Sequence, residues 1–180
     1  MNKPRLSQIY LQECFDYLPV EGILRWRKRP LQHFENEHRR NNWNSRWVGK
    51  EAGAVHKASG YRVVSIGGWM YKVHMLIWVH YYGFWPEADV DHWDLVRTNN
   101  RISNFREASR SNNLANRRKQ ANNKSGHKGV CWSKAARKWL AQIKIRGVYQ
   151  YLGTYEDLEE AASVYEKAAR NAFGGFARVV

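Results

Sequence analysis

Cysteine is scarce in this chain of 180 residues. Cys14 and Cys131 are too few and too far apart for a disulfide framework or a four-thiolate zinc site, so both read as ordinary thiols. Long apolar runs are missing too. No stretch approaches the roughly 20 residues of a membrane-spanning helix, and the first residues lack a signal-peptide pattern, so the expectation is a soluble cytoplasmic protein. Carboxylates are in short supply. Sixteen Asp+Glu face 30 Lys+Arg, a formal net charge of +14. A solvated surface does not need such an imbalance, and a polyanionic partner is its simplest cause. Membrane lipid is the weaker candidate, and nothing calls for an obligate protein partner.

What is present divides into segments of different texture. Leu6, Ile9, Tyr10 and Cys14 fall at helical spacing, Pro19 and Gly22 break the run, and Ile23 to Trp26 reads as a short strand. Residues 28–50 are polar, with Trp43 and Trp47 as the largest anchors, which predicts a long loop or partly ordered arm. In GYRVVSIGGWMYKV, β-branched residues flank a Gly-Gly pair, the pattern of a hairpin. Residues 74–82 predict a helix with His74, Ile77, Trp78 and Tyr81 on one side, ended by Gly83 and Pro86.

The stretch VDHWDLVRTNNRISNFREASRSNNLANRR, 90–118, then reads as a strand, a polar loop from Asp94 to Asn104, and a helix for which Ser109 is the N-cap. It places a carboxylate, an imidazole and an amide at the inner ends of these elements. Such groups can cut a phosphodiester: an oxygen ligand for a hard metal, a base titrating near neutrality, and cations around the phosphate. Taken alone, an Asp-His pair is more often a surface hydrogen bond, and an Asn-rich loop is more often turn chemistry.

Asp91-His92, Asn104 and Asn113, with FDYLPVEGILRWRKRP, GYRVV and VHMLIW before them, resemble the HNH (ββα-metal) nucleases of the phage homing-endonuclease type over about residues 6–118. The resemblance implies that His92 is the general base, that Asp91 and Asn113 ligate one Mg²⁺ or Mn²⁺, and that Asn104 braces the loop so that His92 faces its water. The family has a Gly in that loop where this chain has Asp94-Leu95-Val96. A branched residue there must either redirect the loop or bear strain, with reduced activity as one consequence. Arg97, Arg101, Arg106, Arg110, Arg117, Arg118 and Lys119 are opposed only by Glu107 between 97 and 119, which suits DNA backbone contact better than a solvated face. His74 and His80 are expected to be structural, with phosphate contact a lesser alternative for His74.

KQANNKSG reads as a linker, 119–125. Beyond it, 126–180 predicts three short strands and a helix. Trp139, Ala141, Ile143 and Ile145 alternate with Leu140, Gln142, Lys144 and Arg146, so one sheet face is apolar. Leu158, Ala161, Ala162, Tyr165, Ala168 and Ala169 form a stripe to cover it, behind a capping start at Asp157 and Glu160. Gln142, Lys144, Arg146, Tyr149 and Tyr151 stay on the uncovered face, where amides and cations can read base edges. GHKGVCW, KWLAQIKI, YLGTYEDLEEAA and AARNAFGGFA resemble the AP2/ERF DNA-binding domain over nearly the whole segment. The resemblance marks Lys128, Cys131, Gln142, Lys144, Tyr149 and Tyr151 as DNA-facing; the alternative is that they are merely exposed.

Residues 124–180 hold ten Lys+Arg and five Asp+Glu, and 1–123 hold twenty and eleven, so neither half is a neutral passenger. The reading is an α+β protein with an HNH nuclease domain at 1–118, a linker at 119–125 and an AP2/ERF-like domain at 126–180. It is expected to be a metal-dependent endonuclease acting on double-stranded DNA. The alternatives are a non-cutting DNA-binding regulator and an RNA-binding structural protein.

Overall fold

The computed structural model describes residues 3–117 and 119–179. It is a mixed α+β structure of small sheets and helices. The chain contacts divide it between Glu107 and Ala108 into two compact units. Among the described residues no helix is long and apolar enough to cross a membrane.

The first unit opens with α1 (Gln8–Cys14), capped by Ser7, whose hydroxyl accepts from the Tyr10 N–H. β1 (Phe15–Leu18) and β2 (Ile23–Trp26) pair antiparallel, with Phe15 opposite Trp26 and Leu18 opposite Ile23. At the turn between them Gly22 has φ +71°, and a Cβ there would lie 2.6 Å from the Arg101 amide nitrogen. That close approach is how the hairpin meets the loop of the Asp-His stretch.

Residues 28–50 depart from the expected loop. They hold a one-turn 3₁₀ helix at Leu31–His33 and the helix α2 (Glu37–Trp47). The Asn36 side chain caps α2 by accepting from the Arg39 N–H, and Glu37 sits in the first turn beside Arg40. Tertiary anchors complete the reason. Trp43 packs edge-on against Trp26 at 4.7 Å, and buried Asn44 accepts from the Arg29 N–H and donates to the Arg29 carbonyl. The apolar period of this segment is too sparse to announce a helix, because two contacts do the anchoring that a stripe usually does.

β3 (Ala54–Val55), β4 (Arg62–Ile66) and β5 (Trp69–Lys72) form an antiparallel sheet, with Gly67 and Gly68 at positive φ in the β4–β5 turn. α3 (Val73–Tyr82) follows at once and ends at Gly83, φ +88°. Its Leu76, Ile77 and Val79 enter a core with Leu11, Phe15, Leu24 and Tyr71. β6 (Asp89–His92) pairs with β7 (Phe105–Ala108), and a 3₁₀ turn at Ile102–Asn104 leads into the second strand.

In the second unit α4 (Arg110–Ala115) starts at Ser109, whose hydroxyl accepts from the Asn112 N–H. Residues 119–125 are turn-like and tied down: Lys119 donates to the Gly126 carbonyl, and Ser125 to that of Val130. β8 (Val130–Ser133), β9 (Lys138–Ile145) and β10 (Val148–Tyr155) form an antiparallel sheet in the order β10-β9-β8. α5 (Leu158–Phe173) begins at Asp157, whose carboxylate accepts from the Glu160 N–H. Ala161, Tyr165 and Ala169 pack with Val130, Ala141 and Ile143, and Trp139 and Ile145 join the same cluster. Small side chains along the helix let its axis lie close to the sheet. Register places Lys144 opposite Tyr149 and Gln142 opposite Tyr151 on the other face.

Candidate functional site

Strand alternation points His92 inward from β6, and the ring is only 2% exposed. Its Nε2 lies 3.0 Å from the side-chain oxygen of Asn100, which is itself buried. An amide oxygen only accepts, so Nε2 must carry the proton and Nδ1 becomes the basic nitrogen of the neutral ring. Asn100 is held in turn by Tyr17 of β1, whose hydroxyl donates to the Asn100 carbonyl and accepts from the Ile102 N–H. Neither Asn100 nor Tyr17 was foreseen from sequence. The Asn99-Asn100 pair was visible in the polar loop, but nothing in the spacing said which amide would reach the imidazole.

Asn104 turns its side chain to the loop. Its oxygen accepts from the Asp94 N–H at 3.1 Å, and its amide donates to the Asp94 carboxylate at 2.8 Å and to the Asn99 carbonyl at 2.9 Å. The Asp94 carboxylate also accepts from the Val96 N–H and the Asn99 amide. Those donors outweigh the opposing effect of burial and hold its carboxyl below the usual range; burial is the largest single influence. Within this cage Leu95 adopts φ +66°, the left-handed conformation that the missing glycine would have taken without strain. The loop carries the strain.

This gives a direct prediction. A left-handed L-residue costs about 1–2 kcal/mol, while glycine costs about 0.5–1 kcal/mol in unfolded-chain entropy. Leu95→Gly is therefore expected to raise the melting temperature of the first unit by a few degrees; a thermal melt showing a fall would place the strain elsewhere.

The Asp91 carboxylate is an ion-pair partner. Arg106 on β7 reaches the same Oδ2 through Nη2 at 3.0 Å and Nε at 3.2 Å, and its guanidinium also lies 4.4 Å from the Trp93 ring centroid. On the other side of His92 sits His74 from α3, edge to face at 4.9 Å, with Phe105 at 5.2 Å and Tyr61 at 5.8 Å completing an aromatic surround. His74 is 2% exposed, and among the described residues its Nδ1 has no hydrogen-bond partner. Burial, with the neighbouring His92 and Lys72, pushes its pKa down to about 3. Burial also lowers His33, His80 and His92; for His92 the Asn100, Asp91 and Asp94 contacts oppose it and Arg97 adds to it.

These imidazoles fix how stability should respond to acid. Each has a folded pKa below its unfolded value near 6.5, so below that pH the unfolded chain binds more protons than the folded one. Their contribution is expected to be flat above about pH 6.5 and to fall as the pH drops from there toward about 3. Denaturant titrations between pH 7 and 4 measure the slope. His74→Leu should make it shallower, whatever that substitution does to stability at neutral pH.

The remaining residues marked by sequence are scattered in their use. Arg97 donates to the Ser59 carbonyl at 2.7 Å and lies 5.0 Å from the Tyr61 ring, and Arg101 donates to the Val20 carbonyl, so both clasp loops of the first unit while staying exposed. His80 hydrogen-bonds the Phe15 carbonyl, a structural role. In the second unit, Arg110 opens α4 on the surface and Asn113 lies on the same helix, half-buried. Arg117 is exposed, and Arg118 lies outside the described residues. Lys128 donates to the carbonyls of Ala115 and Arg117 at the end of α4, and burial brings its pKa down to about 8. Gln142, Lys144, Tyr149 and Tyr151 share the sheet face away from α5, with the Lys144 ammonium 4.7 Å from the Tyr149 ring. Arg146 is exposed in the following turn at φ +50°, its N–H toward Ser111.

β6 thus carries a buried, oriented imidazole into a cross-braced loop and a returning strand. Residues 71–115 match the HNH endonuclease family. The match spans α3 through α4 and places an HNH endonuclease domain in that part of the chain. No curated protein and no solved structure matches the chain.

Proposed function

We propose that the chain is a metal-dependent, site-directed DNA endonuclease of the phage homing type, with a nuclease domain at 1–118 and an AP2/ERF-like DNA reader at 126–180 joined by 119–125. The observation that carries the chemistry is the His92–Asn100 pair, because it leaves Nδ1 as the nitrogen that takes a proton from water. Asn104 and Asp94 keep the loop in the shape that presents it. Exposed Arg97, Arg101, Arg110 and Arg117 are proposed for backbone phosphates, with Arg118 beside them in sequence. Lys128, Gln142, Lys144, Arg146, Tyr149 and Tyr151 are proposed for the recognition half, Lys128 mainly by holding the end of α4.

The donor set suits a hard cation. Asp91 and Asn113, each with a side-chain oxygen, are proposed as its ligands. Mg²⁺ or Mn²⁺ held by these two oxygens would take water and phosphate at its other positions. When bound, it supplies charge stabilisation at the scissile phosphate and the leaving 3′ oxygen. The protein's own part is to abstract the proton at Nδ1, brace the loop and neutralise the backbone.

A second reading, a DNA-binding protein that does not cut, draws on the Arg106 guanidinium already seated on Asp91. Incubating the protein with supercoiled plasmid, with Mg²⁺, Mn²⁺ or chelator, separates the two. Cleavage only with the divalent ion supports the nuclease; intact plasmid under every condition, with binding retained, supports the regulator.

A further inference from the structure

The second unit contains a recess of about 830 Å³ whose lining includes Arg117, Lys128, Gln142 and Tyr149, already proposed for DNA, together with Trp132, Lys124 and Lys134, which are not. Its walls come from the end of α4, the segment 119–125 and the edge strand β8. Among the described residues five cations line it (Arg117, Lys119, Lys124, Lys128 and Lys134), and no carboxylate does. Two of the five build the wall itself: Lys119 holds the Gly126 carbonyl and Lys128 those of Ala115 and Arg117. Arg117, Lys124 and Lys134 are exposed and positioned to meet an anion.

The same recess is lined by Trp132, Trp139 and Tyr149. Trp132 is 50% and Tyr149 66% exposed, unusual for large rings that have a core beside them. Trp132 rests edge-on against Trp139 at 5.2 Å, which props it in place. Gln120 and Gln142 add amides able to meet base edges.

We infer that this recess binds unpaired nucleotides of single-stranded DNA, stacking a base on Trp132 while Arg117, Lys124 and Lys134 take the phosphates. Size decides against a duplex here, since about 830 Å³ holds a few planar rings. A double helix offers its phosphates on a convex surface and keeps its base faces stacked inside, whereas exposed rings in a cationic recess suit bases that have been splayed out. The volume is within the range that accepts a small number of planar rings. The inference deepens the proposed DNA-cutting role and takes its choice of DNA over RNA from it. It assigns the second unit a hold on an opened strand in addition to the flat sheet face.

The test uses the full chain in chelator, so that nothing is cut. Fluorescence anisotropy compares a short labelled oligodeoxynucleotide with the duplex formed from it at matched salt. Trp132→Ala is expected to weaken single-strand binding about tenfold and duplex binding less than twofold, with Trp132→Phe restoring most of the loss. The Lys124→Ala/Lys134→Ala double variant should lower the single-strand salt slope by about 1.4. Single-strand affinity unchanged by Trp132→Ala, or equal losses for strand and duplex, overturns the assignment; so does tighter binding of the matching RNA. Because Trp132 is half exposed, an unchanged thermal melt verifies folding. Plasmid cleavage and duplex affinity report on the nuclease reading separately, so the two can fail independently.

Discussion

Replacing His92 by Ala is expected to slow divalent-ion-dependent plasmid cleavage by about 10²–10⁴-fold, the usual worth of a positioned general base. Duplex affinity should stay within twofold, since a ring that is 2% exposed offers DNA almost no contact surface. The substitution also leaves the Asn100 side chain without its partner in a buried place, which costs about 1–3 kcal/mol of stability. His92→Gln controls for that, because it keeps a polar group near Asn100 but has no nitrogen that takes up a proton near neutral pH. Both variants should lose cleavage alike while their melting temperatures differ. Initial rates on supercoiled plasmid, paired with anisotropy on a duplex, make the measurement. A rate within threefold of wild type in either variant would remove His92 from the chemistry.

How much of this could be read from the residues depends on how far apart in the chain the partners lie. Period-2 alternation in β9 and the alanine stripe of α5 are local patterns, and the sheet-on-helix packing follows from them. The caps at Ser109 and Asp157 are local as well, each a side chain reaching an N–H three positions on. Leu95 belongs to this group: the absent glycine announced a strained turn, and the chain took the strained option. Long-range partners were illegible. Asn100 reaches His92 across the loop, Tyr17 reaches Asn100 from β1, and Arg106 reaches Asp91 across the strand pair. Many Asn and Arg in the stretch were equivalent choices by spacing alone. Helix α2 was illegible for a related reason. Its stability comes from Trp43 against Trp26 and Asn44 against Arg29, which no periodicity within 37–47 encodes.

The second large effect concerns Gly129. Gly129→Ala should destabilise the second unit by more than about 3 kcal/mol, through two separable causes. Its φ of +69° costs an L-residue about 1–2 kcal/mol. The added Cβ would also lie 2.1 Å from the Tyr165 ring and 2.6 Å from the Gln142 carbonyl oxygen. Neither neighbour can yield cheaply: Tyr165 is buried between α5 and the sheet, and the Gly129 carbonyl is bonded to the Gln142 N–H at 2.9 Å. Moving the backbone breaks that bond, and moving the ring opens the core. Gly126→Ala isolates the first cause, since its φ is +81° but a Cβ there meets nothing within 4 Å. It should cost about 1–2 kcal/mol and leave DNA binding measurable. Hydrogen exchange resolved by segment is the suitable measurement, with protection lost in β8–β10 and α5 for Gly129→Ala and kept in α3 and β4–β5. Equal costs for the two glycines would mean that backbone conformation alone, and not the ring packed over Gly129, fixes where β8 begins.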